Sequence, residues 1–214
     1  MGSEKQVRVA IIGMGGFASQ HHDAVFALEK EGVCRLVAAS SKTWDQYKER
    51  SEKLEFDGRG VKCYPDHIAM LNACAQDLDV VAIPTPHHLH AQMHRDVVER
   101  GLAAYLEKPP TLDYAEFQAM KAVEQKAPWM TNVAFNFIVE RERQALKQRI
   151  LAGEFGAVQA VSFCGLSPRW TPYYTRNKWA GGLMVGEAIL RWISSAAAIP
   201  SATPCTAVIP PFTT

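Results

Sequence analysis

The sequence predicts an α/β fold, a doubly wound parallel sheet followed by a second domain of α+β type. Three observations lead to this prediction: short apolar runs alternate with segments of helical periodicity, a glycine-rich loop follows the first run, and the alternation ends after Pro128. Strands that alternate with helices form parallel β-α-β units, with helices on both faces of the sheet. We therefore divide the chain into a first domain at residues 1–128 and a partial second domain at residues 129–214.

The strands of the first domain are predicted where apolar runs stop at glycine, proline or a polar residue. These runs are residues 7–12, 35–40, 61–64, 79–83 and 103–106. Helices are predicted where apolar residues recur at helical spacing, at residues 17–31, 45–54, 67–75, 88–100 and 114–126. The last of these helices begins with Asp113 and Glu116, which are spaced as in a capping box.

The pattern is less regular in the second half. We predict a strand over residues 130–137, a helix over 142–151 that ends at Gly153, and a strand over 158–163, where the side chains alternate. Residues 192–214 contain four prolines and no Asp, Glu, Lys or Arg, which is unusual for a protein surface.

The composition is that of an ordinary globular protein. The 214 residues are 48% hydrophobic and 21% charged, and 23 Lys and Arg against 22 Asp and Glu give a net charge of +1. Neither nucleic acid nor a membrane is an expected partner, because the sequence has no basic block and no apolar stretch of about 18 residues. We expect reduced thiols and a cytoplasmic location, because no C-x-x-C pair occurs among the five cysteines, Cys34, Cys63, Cys74, Cys164 and Cys205.

The glycine-rich loop joins the first predicted strand to the first predicted helix. Glycines at such a turn let the backbone approach a pyrophosphate, which binds to the free N–H groups at the start of the helix. The pattern G-x-G-G-x-A has alanine in place of the third glycine of G-x-G-x-x-G, a change that helix–strand packing tolerates. The alternative is an ordinary tight turn. We expect a dinucleotide to contact the whole loop, Gly13, Met14, Gly15, Gly16, Phe17 and Ala18.

The end of the second strand indicates which dinucleotide to expect. An acidic residue there would bind the ribose hydroxyls of NAD, but the strand ends in Ser40, Ser41 and Lys42. Hydroxyls and a cation suit the 2′-phosphate of NADP better than a bare diol, so the sequence favours NADP over NAD. The alternative is that Lys42 is a solvated surface lysine.

Two further segments follow the fourth and fifth predicted strands, at the edge where doubly wound sheets bind ligands. The first contains Thr85, Pro86 and His90, and the second is E-K-P at residues 107–109. With the glycine loop they match the order G-x-G-x-x-A, T-P-x-x-x-H and E-K-P. Over about residues 5–165 the chain therefore resembles the glucose–fructose oxidoreductase/inositol dehydrogenase family of NAD(P)-dependent sugar and polyol oxidoreductases.

The resemblance implies a Rossmann-type NAD(P)-binding domain and oxidation of a sugar-like or polyol hydroxyl, with hydride passed to the nicotinamide. It implies that Lys108 reaches the reacting carbon, where the positive nicotinamide favours proton exchange with the substrate hydroxyl, and that Glu107 orients the lysine. The alternative for this pair is a surface salt bridge at a strand end. The resemblance also implies that both segments contact the cofactor, through Pro84, Thr85, Pro86, His87, His90, Glu107 and Lys108.

The histidines offer a metal site as another alternative. All seven lie between His21 and His94, and His90 and His94 are four residues apart on a predicted helix, a spacing that can chelate zinc. No glutamate stands between them, and His90 coincides with the histidine of T-P-x-x-x-H. We therefore expect no metal.

The second half departs from the family. Members carry a second domain with the segment G-x-x-x-D-x-G-x-H-x-x-D, whose histidine and aspartate assist proton transfer. In this chain no histidine follows His94 and no aspartate follows Asp113. The resemblance therefore implies that the α+β domain is incomplete, and we interpret the chain as a truncated or frame-altered product with a partial substrate or oligomerisation domain. Open sheet edges in such a domain would favour assembly into a homo-oligomer.

Other residues of this half are candidates for the missing roles. Tyr173 or Tyr174 is the alternative acid, and a sugar-like substrate would stack on aromatic side chains, although such aromatics are as often core residues. A rival function is a catalytically impaired cofactor-binding protein that senses or scaffolds. The expected substrate contacts are Lys108, Asn136, Trp170, Tyr173 and Trp179.

Overall fold

A computed structural model gives the structure of residues 5–160, 162, 164, 168–175, 184, 185, 188 and 189. By its internal contacts the chain divides into two units, Met1–Ala134 and Phe135–Thr214. The first unit includes residues just past the predicted boundary at 128, because the chain there still pairs with the sheet. The roles predicted for the two domains stay predictions.

The first unit is built on a six-stranded parallel sheet with the order β3-β2-β1-β4-β5-β6. The order reverses between β1 and β4, and ligands of doubly wound folds bind at the carboxyl ends of the strands beside such a reversal. The predicted fold class is therefore confirmed for this unit. The strands are β1 (Val7–Ile12), β2 (Cys34–Ser40), β3 (Lys62–Tyr64), β4 (Val80–Ile83), β5 (Ala103–Leu106) and β6 (Asn132–Val133).

Helices connect the strands, and their positions agree with the sequence prediction in most cases. The helix predicted over 45–54 is different: it begins as the 3-10 helix Trp44–Tyr47 and becomes α-helical at Lys48. Side chains three residues apart share one side of a 3-10 helix, so Trp44 and Tyr47 both pack on the core. The helices are α1 (Ala18–Lys30), α2 (Lys48–Lys53), α3 (His67–Cys74), α4 (His90–Val98), preceded by the 3-10 turn His87–Leu89, and α5 (Tyr114–Glu124).

Two apolar clusters cover the two faces of the sheet. Successive side chains of a strand point to opposite faces, and in β1 Val9 and Ile11 belong to one cluster while Ala10 and Ile12 belong to the other. The first cluster includes residues of α1, and the second includes residues of α3, α4 and α5. Both faces are thus covered by helices, as a doubly wound sheet requires.

Of the two hydrogen bonds that make up the capping box predicted at the start of α5, one is present. The carboxylate of Asp113 accepts the N–H of Glu116 at 2.9 Å. The carboxylate of Glu116 accepts the hydroxyl of Thr111 instead of the N–H of Asp113, which donates to the Thr111 hydroxyl at 3.1 Å. Thr111 therefore takes part in the cap.

The second unit contains a 3-10 turn at Asn136–Val139, helices α6 (Arg141–Leu151) and α7 (Thr171–Thr175), and an antiparallel pair, β7 (Met184–Val185) and β8 (Ala188–Ile189). Helix α6 confirms the helix predicted over 142–151. Its described side chains are all exposed, Leu146 and Ile150 among them.

Two strand predictions in the second half differ from the structure: the sixth strand is present but shorter than predicted, and the next one is not formed at the described positions. The strand predicted over 130–137 is only the two residues of β6, because the chain turns into the 3-10 helix at Asn136. The strand predicted over 158–163 is not formed at 158–160 or 162, and 161 and 163 lie outside the described residues. Alternating side chains do not make a strand without a neighbour to pair with, and no strand in the described part of the chain pairs with this segment.

Within the described residues, no helix has the length and apolar character needed to cross a membrane.

Candidate functional site

The three motif segments meet at the carboxyl edge of the sheet, because each directly follows one of the neighbouring strands β1, β4 and β5. The N–H of Gly13 donates to the carbonyl of Ser40 at 2.7 Å, which joins the glycine loop to the end of β2. The N–H of Glu107 donates to the carbonyl of Ile83 at 3.3 Å, which joins the ends of β5 and β4. The edge is therefore one connected surface.

The glycine loop has the features that an anion needs. Gly13 has a φ of +127°, a backbone conformation that favours glycine. A Cβ added there would lie 3.5 Å from the Cβ of Ala18, so the small third residue of the motif packs helix on strand as predicted. Met14 is buried in the core, which leaves only its backbone to face a ligand.

The start of α1 is open to a ligand. Phe17, at the N-cap, makes no side-chain capping hydrogen bond, and the first turn of the helix contains no acidic residue. The first N–H groups of α1, those of Ala18, Ser19 and Gln20, donate to the carbonyls of Gly15, Gly16 and Phe17, and the helix dipole favours negative charge at this end. The Phe17 side chain itself is 59% exposed. A phosphate at this end of α1 would interact favourably with the positive end of the helix dipole.

Two observations test whether a dinucleotide fits. The hydroxyl of Ser40, at the end of β2, is buried and has no hydrogen-bond partner among the described residues. Leaving such a group unpaired costs about 1–3 kcal/mol, and because Ser40 is 0% exposed a ligand would reach this hydroxyl only if its neighbours moved. A Cβ added to Gly15 would lie 2.0 Å from the hydroxyl oxygen of Tyr47, so the end of the Tyr47 side chain covers this side of the glycine. A dinucleotide fits the glycine loop through the backbone conformation of Gly13 and the small Ala18 packed beside it.

Past Ser40, the end of β2 presents a hydroxyl and a cation. The side chains of Ser41 and Thr43 contact each other, with their hydroxyl oxygens 3.4 Å apart, and Lys42 is exposed. The acidic residue that follows, Asp45, is paired with Lys48 at 3.1 Å and is highly exposed. None of the three residues that directly follow β2, Ser41, Lys42 and Thr43, carries a carboxylate.

His90 holds the Thr-Pro segment against the E-K-P segment. Its Nε2 lies 2.8 Å from the carbonyl oxygen of Thr85, and its Nδ1 lies 2.8 Å from the carbonyl oxygen of Pro109. The ring is almost completely buried, and burial lowers the pKa of the imidazole. A neutral imidazole carries one N–H, so it donates to one of the two carbonyls at a time. Both ring nitrogens thus face backbone carbonyls, and one of them is hydrogen-bonded at a time.

The other residues of the Thr-Pro segment differ in exposure. Pro84 is buried and Pro86 is exposed, and the Thr85 hydroxyl lies 3.3 Å from the sulfur of Met93. His87 is partly buried, with its Nε2 unpartnered among the described residues, and burial lowers the pKa of its imidazole.

The E-K-P segment presents its lysine to solvent. Lys108 is exposed and is joined to Pro109 by a cis peptide bond. One carboxylate oxygen of Glu107 accepts the backbone N–H of Lys108 at 3.2 Å, and the other lies 3.0 Å from Nε2 of His21. Glu107 therefore contacts the backbone of Lys108, whereas we predicted from the sequence that it would orient the ammonium group.

The histidine pair His90 and His94 does not share a ligand position. The Nε2 of His94 lies 2.8 Å from the hydroxyl of Thr131 and 3.6 Å from a carboxylate oxygen of Glu124, whereas both nitrogens of His90 face backbone carbonyls. Within the described ranges, no group of three His, Cys, Asp or Glu side chains could hold a metal ion.

The expected substrate residues other than Lys108 belong to the second unit. Asn136 and Trp170 are exposed, and Trp170 is 77% exposed. The rings of Tyr173 and Tyr174 pack edge to face at 5.3 Å. Trp179 lies outside the described residues. Their role in substrate binding stays a prediction.

Sequence reasoning missed two residues of the site, His21 and Tyr47. His21 falls on the buried stripe of α1 with Ala18 and Val25, so a polar residue at a core-facing helical position was an available signal. No comparable signal marks Tyr47, because its proximity to Gly15 depends on how the segment after β2 folds back over the glycine loop.

Comparison with known proteins agrees with this geometry. Residues 7–135 match the model of the oxidoreductase family with an NAD-binding Rossmann fold. The chain is 28% identical over 156 residues to a dTDP-3,4-didehydro-2,6-dideoxy-alpha-D-glucose 3-reductase of Actinomadura kijaniata, covering 73% of this chain and 44% of that protein. It is 27% identical over 166 residues to an inositol 2-dehydrogenase of Rhizobium meliloti, covering 78% of this chain and 47% of that protein.

A solved structure is similar as well. The 3-ketoreductase KijD10 from Actinomadura kijaniata, in complex with NADP and TDP-benzene, is 26% identical, with a TM-score of 0.57 over 70% of this chain and 43% of that one. The chain spans less than half the length of these relatives. The family match covers more than half of the chain, including all three motif segments. The chain therefore belongs to the Gfo/Idh/MocA oxidoreductase family, with an NAD-binding Rossmann fold.

Proposed function

We propose that this protein is an NAD(P)-dependent oxidoreductase that acts on a hydroxyl group of a sugar or polyol. The observation that carries the proposal is the position of Lys108. It is exposed at the carboxyl edge of the sheet, directly after β5, and β5 neighbours β4, whose end carries the Thr-Pro segment. A lysine at this edge can exchange a proton with a hydroxyl bound beside it.

Different residues of the site would bind different parts of the dinucleotide. The backbone of the glycine loop and the start of α1, which has no side-chain cap, would hold the pyrophosphate. The Thr-Pro segment and Glu107 would border the reacting end. When bound, a nicotinamide accepts or gives the hydride of the oxidation or reduction.

The substrate class rests on the relatives. One is a reductase of a dTDP-bound sugar and another is an inositol dehydrogenase. Both names describe a ring that carries hydroxyl or keto groups, so we infer a substrate of that kind.

The preference for NADP is also part of the proposal. Ser41 and exposed Lys42 follow β2, and no carboxylate stands among the three residues after Ser40. A 2′-phosphate would interact favourably with this cation, and a similar reductase is known in complex with NADP.

The proposal is tested by titrating the purified protein with NADPH and NADH, using cofactor fluorescence and thermal unfolding. Turnover is then measured with inositols, free sugars and nucleotide sugars, alongside Lys108→Met. We expect both cofactors to bind, NADPH more tightly, and Lys108→Met to bind cofactor without turnover. The absence of binding by either cofactor would contradict the proposal.

A further inference from the structure

Glu107 and Lys108 are held from two sides by buried histidines. On one side, the Nε2 of His21 lies 3.0 Å from a carboxylate oxygen of Glu107. On the other, the Nδ1 of His90 lies 2.8 Å from the carbonyl oxygen of Pro109. Both histidines are at most 9% exposed, whereas Lys108 is exposed. The backbone of the segment is therefore fixed while its ammonium group faces solvent.

The ring of His21 is itself constrained. It packs edge to face against Phe17 and Tyr105, with ring centroids 5.7 Å apart in each case. Because a carboxylate only accepts hydrogen bonds, the hydrogen between His21 and Glu107 must reside on the histidine nitrogen. The second oxygen of Glu107 accepts the N–H of Lys108 at 3.2 Å. A continuous path of hydrogen bonds thus runs from α1 to the peptide of Lys108.

We propose that His21 is a positioning residue for Lys108 that acts through the carboxylate of Glu107. This inference rests on the function proposed above, since Lys108 is its reacting group. His21 lies on the first turns of α1, the helix whose start would hold the pyrophosphate. The link therefore sets the distance between the phosphate end of the site and the lysine. Misplacement of a reacting group by about 1 Å lowers a rate by up to roughly a hundredfold.

A positioning role of His21 has consequences that a merely structural role would not have. Without His21, the carboxylate of Glu107, which is 12% exposed, would lose its partner and turn towards water. The peptide of Lys108 would then lose the acceptor that fixes it. The sheet and the packing of α1 on it do not depend on this contact, because Ala18 and Val25 supply the apolar contacts of that face.

The test compares three variants of the whole chain. His21→Leu removes the donor, whereas His21→Gln keeps an N–H group that can reach Glu107. His22→Leu is the matched control, because His22 is the adjacent buried histidine of α1 and its ring nitrogens have no partner among the described residues.

Amide hydrogen exchange, followed by NMR, gives a readout that needs no turnover. We expect the Lys108 amide to exchange about fivefold faster in His21→Leu, because one hydrogen bond contributes roughly 1 kcal/mol and that energy corresponds to about a fivefold change. Exchange at Lys108 should stay near the wild-type rate in His21→Gln and His22→Leu. The amides of β1 should be unchanged in all three.

Steady-state kinetics gives the second readout. We expect kcat to fall roughly tenfold to a hundredfold in His21→Leu, with the KM for NADPH within about threefold of wild type, and His21→Gln to recover most of kcat. Unchanged exchange at Lys108 in His21→Leu, or an equal change in His22→Leu, would overturn the proposal. If the wild-type protein binds no NADPH, the proposed function fails, and the exchange measurement still decides the role of His21.

Discussion

Tyr47 lies so close to Gly15 that a Cβ on the glycine would stand 2.0 Å from the tyrosine hydroxyl oxygen. The next ring atoms would be at 2.6 and 2.9 Å. Tyr47 is half-buried and packs on the apolar cluster that covers one face of β1 and β2. The aromatic ring thus supports the glycine loop from the side of α2, and a side chain at this position would have to displace it.

Gly15→Ala should destabilise the protein by displacing Tyr47. We expect a loss of about 1–2 kcal/mol in the free energy of unfolding, because the ring must leave its packed position. In the double variant with Tyr47→Ala, the two losses should fall short of their sum by about 1 kcal/mol, since the clash is gone. Urea unfolding of the four proteins measures this coupling.

Gly58→Ala is the matched control for this cycle. A Cβ on Gly58 would meet only the carbonyl oxygen of Glu55, at an ordinary 3.7 Å. We expect no loss of stability from this variant, or a small gain, because alanine restricts the unfolded chain. Strictly additive effects of Gly15→Ala and Tyr47→Ala would refute the contact.

Lys42→Glu should change the choice of cofactor. A carboxylate in place of the exposed lysine repels a 2′-phosphate, so we expect the Kd for NADPH to rise at least about tenfold, or about 1.4 kcal/mol. The Kd for NADH should change by less than about threefold, because NADH lacks that phosphate. Fluorescence titration of both cofactors at one salt concentration makes the comparison.

Lys30→Glu is the control for this charge change, because Lys30 is at the far end of α1 from the glycine loop. It should leave both dissociation constants unchanged. Equal weakening of NADPH and NADH binding by Lys42→Glu would show that the lysine does not read the 2′-phosphate.

His22 makes stability depend on pH. Its imidazole is fully buried and has no hydrogen-bond partner among the described residues, and burial lowers its pKa from 6.5 to about 4. Below pH 6.5 the unfolded chain binds a proton that the folded chain does not bind until about pH 4. The free energy of unfolding is therefore unaffected by this ring above pH 6.5. It falls by roughly 1 kcal/mol per pH unit as the pH drops from 6.5 to about 4.

His22→Leu should flatten this dependence. Leucine of similar size would pack against Phe26 and Phe56, which now contact the ring, and it leaves no buried nitrogen unpaired. We expect the variant to be as stable as wild type at pH 7.5 and more stable at pH 5. Urea unfolding at both pH values tests this, with His88→Leu as the control at an exposed position. A parallel pH dependence in wild type and His22→Leu would contradict the assignment.

Local sequence patterns predicted the strands of the first unit well, because each apolar run stops at a residue that breaks a strand. They could not predict the irregularity between β1 and β2, where Val9 pairs with Leu36 but Ala10 pairs with Ala38. The extra residue, Val37, exists only relative to a partner strand. The prediction of a strand over 158–163 failed for the same kind of reason, because the sequence of one segment does not show whether a neighbouring strand is there to pair with it.

In the candidate site, too, local patterns predicted some features, while others depend on how distant segments pack together. The motifs located the glycine loop, Thr85 and Lys108, because these residues follow strands whose ends meet at one edge of the sheet. The contact of His21 with Glu107 joins residues 86 positions apart, and neither residue marks the other in the sequence. Partners of this kind become visible only when α1 and β5 are placed side by side.

Asp79 joins β4 to β1 at the opposite edge of the sheet. Its carboxylate accepts the backbone N–H of Arg8 at 2.8 Å and two guanidinium N–H groups at 3.0 and 2.9 Å. The hydrogen bonds from Arg8 lower the pKa of Asp79 from 3.8 to about 2. A lowered pKa means that the ionised carboxylate stabilises the folded state above pH 3.8, and that this contribution is lost as the pH falls towards 2.

Asp79→Asn should therefore destabilise the protein in a pH-dependent way. The side chain is 34% exposed and water screens the pair, so we expect a loss of only about 1 kcal/mol at pH 7. The difference from wild type should stay constant down to about pH 4 and shrink between pH 4 and 2, because the wild-type carboxylate is then protonated. Asp45→Asn, in the highly exposed pair with Lys48, should change stability by less than about 0.5 kcal/mol at any pH. Urea unfolding between pH 7 and 2.5 measures both differences, and a gap between wild type and Asp79→Asn that widens towards low pH would reverse the sign argued here.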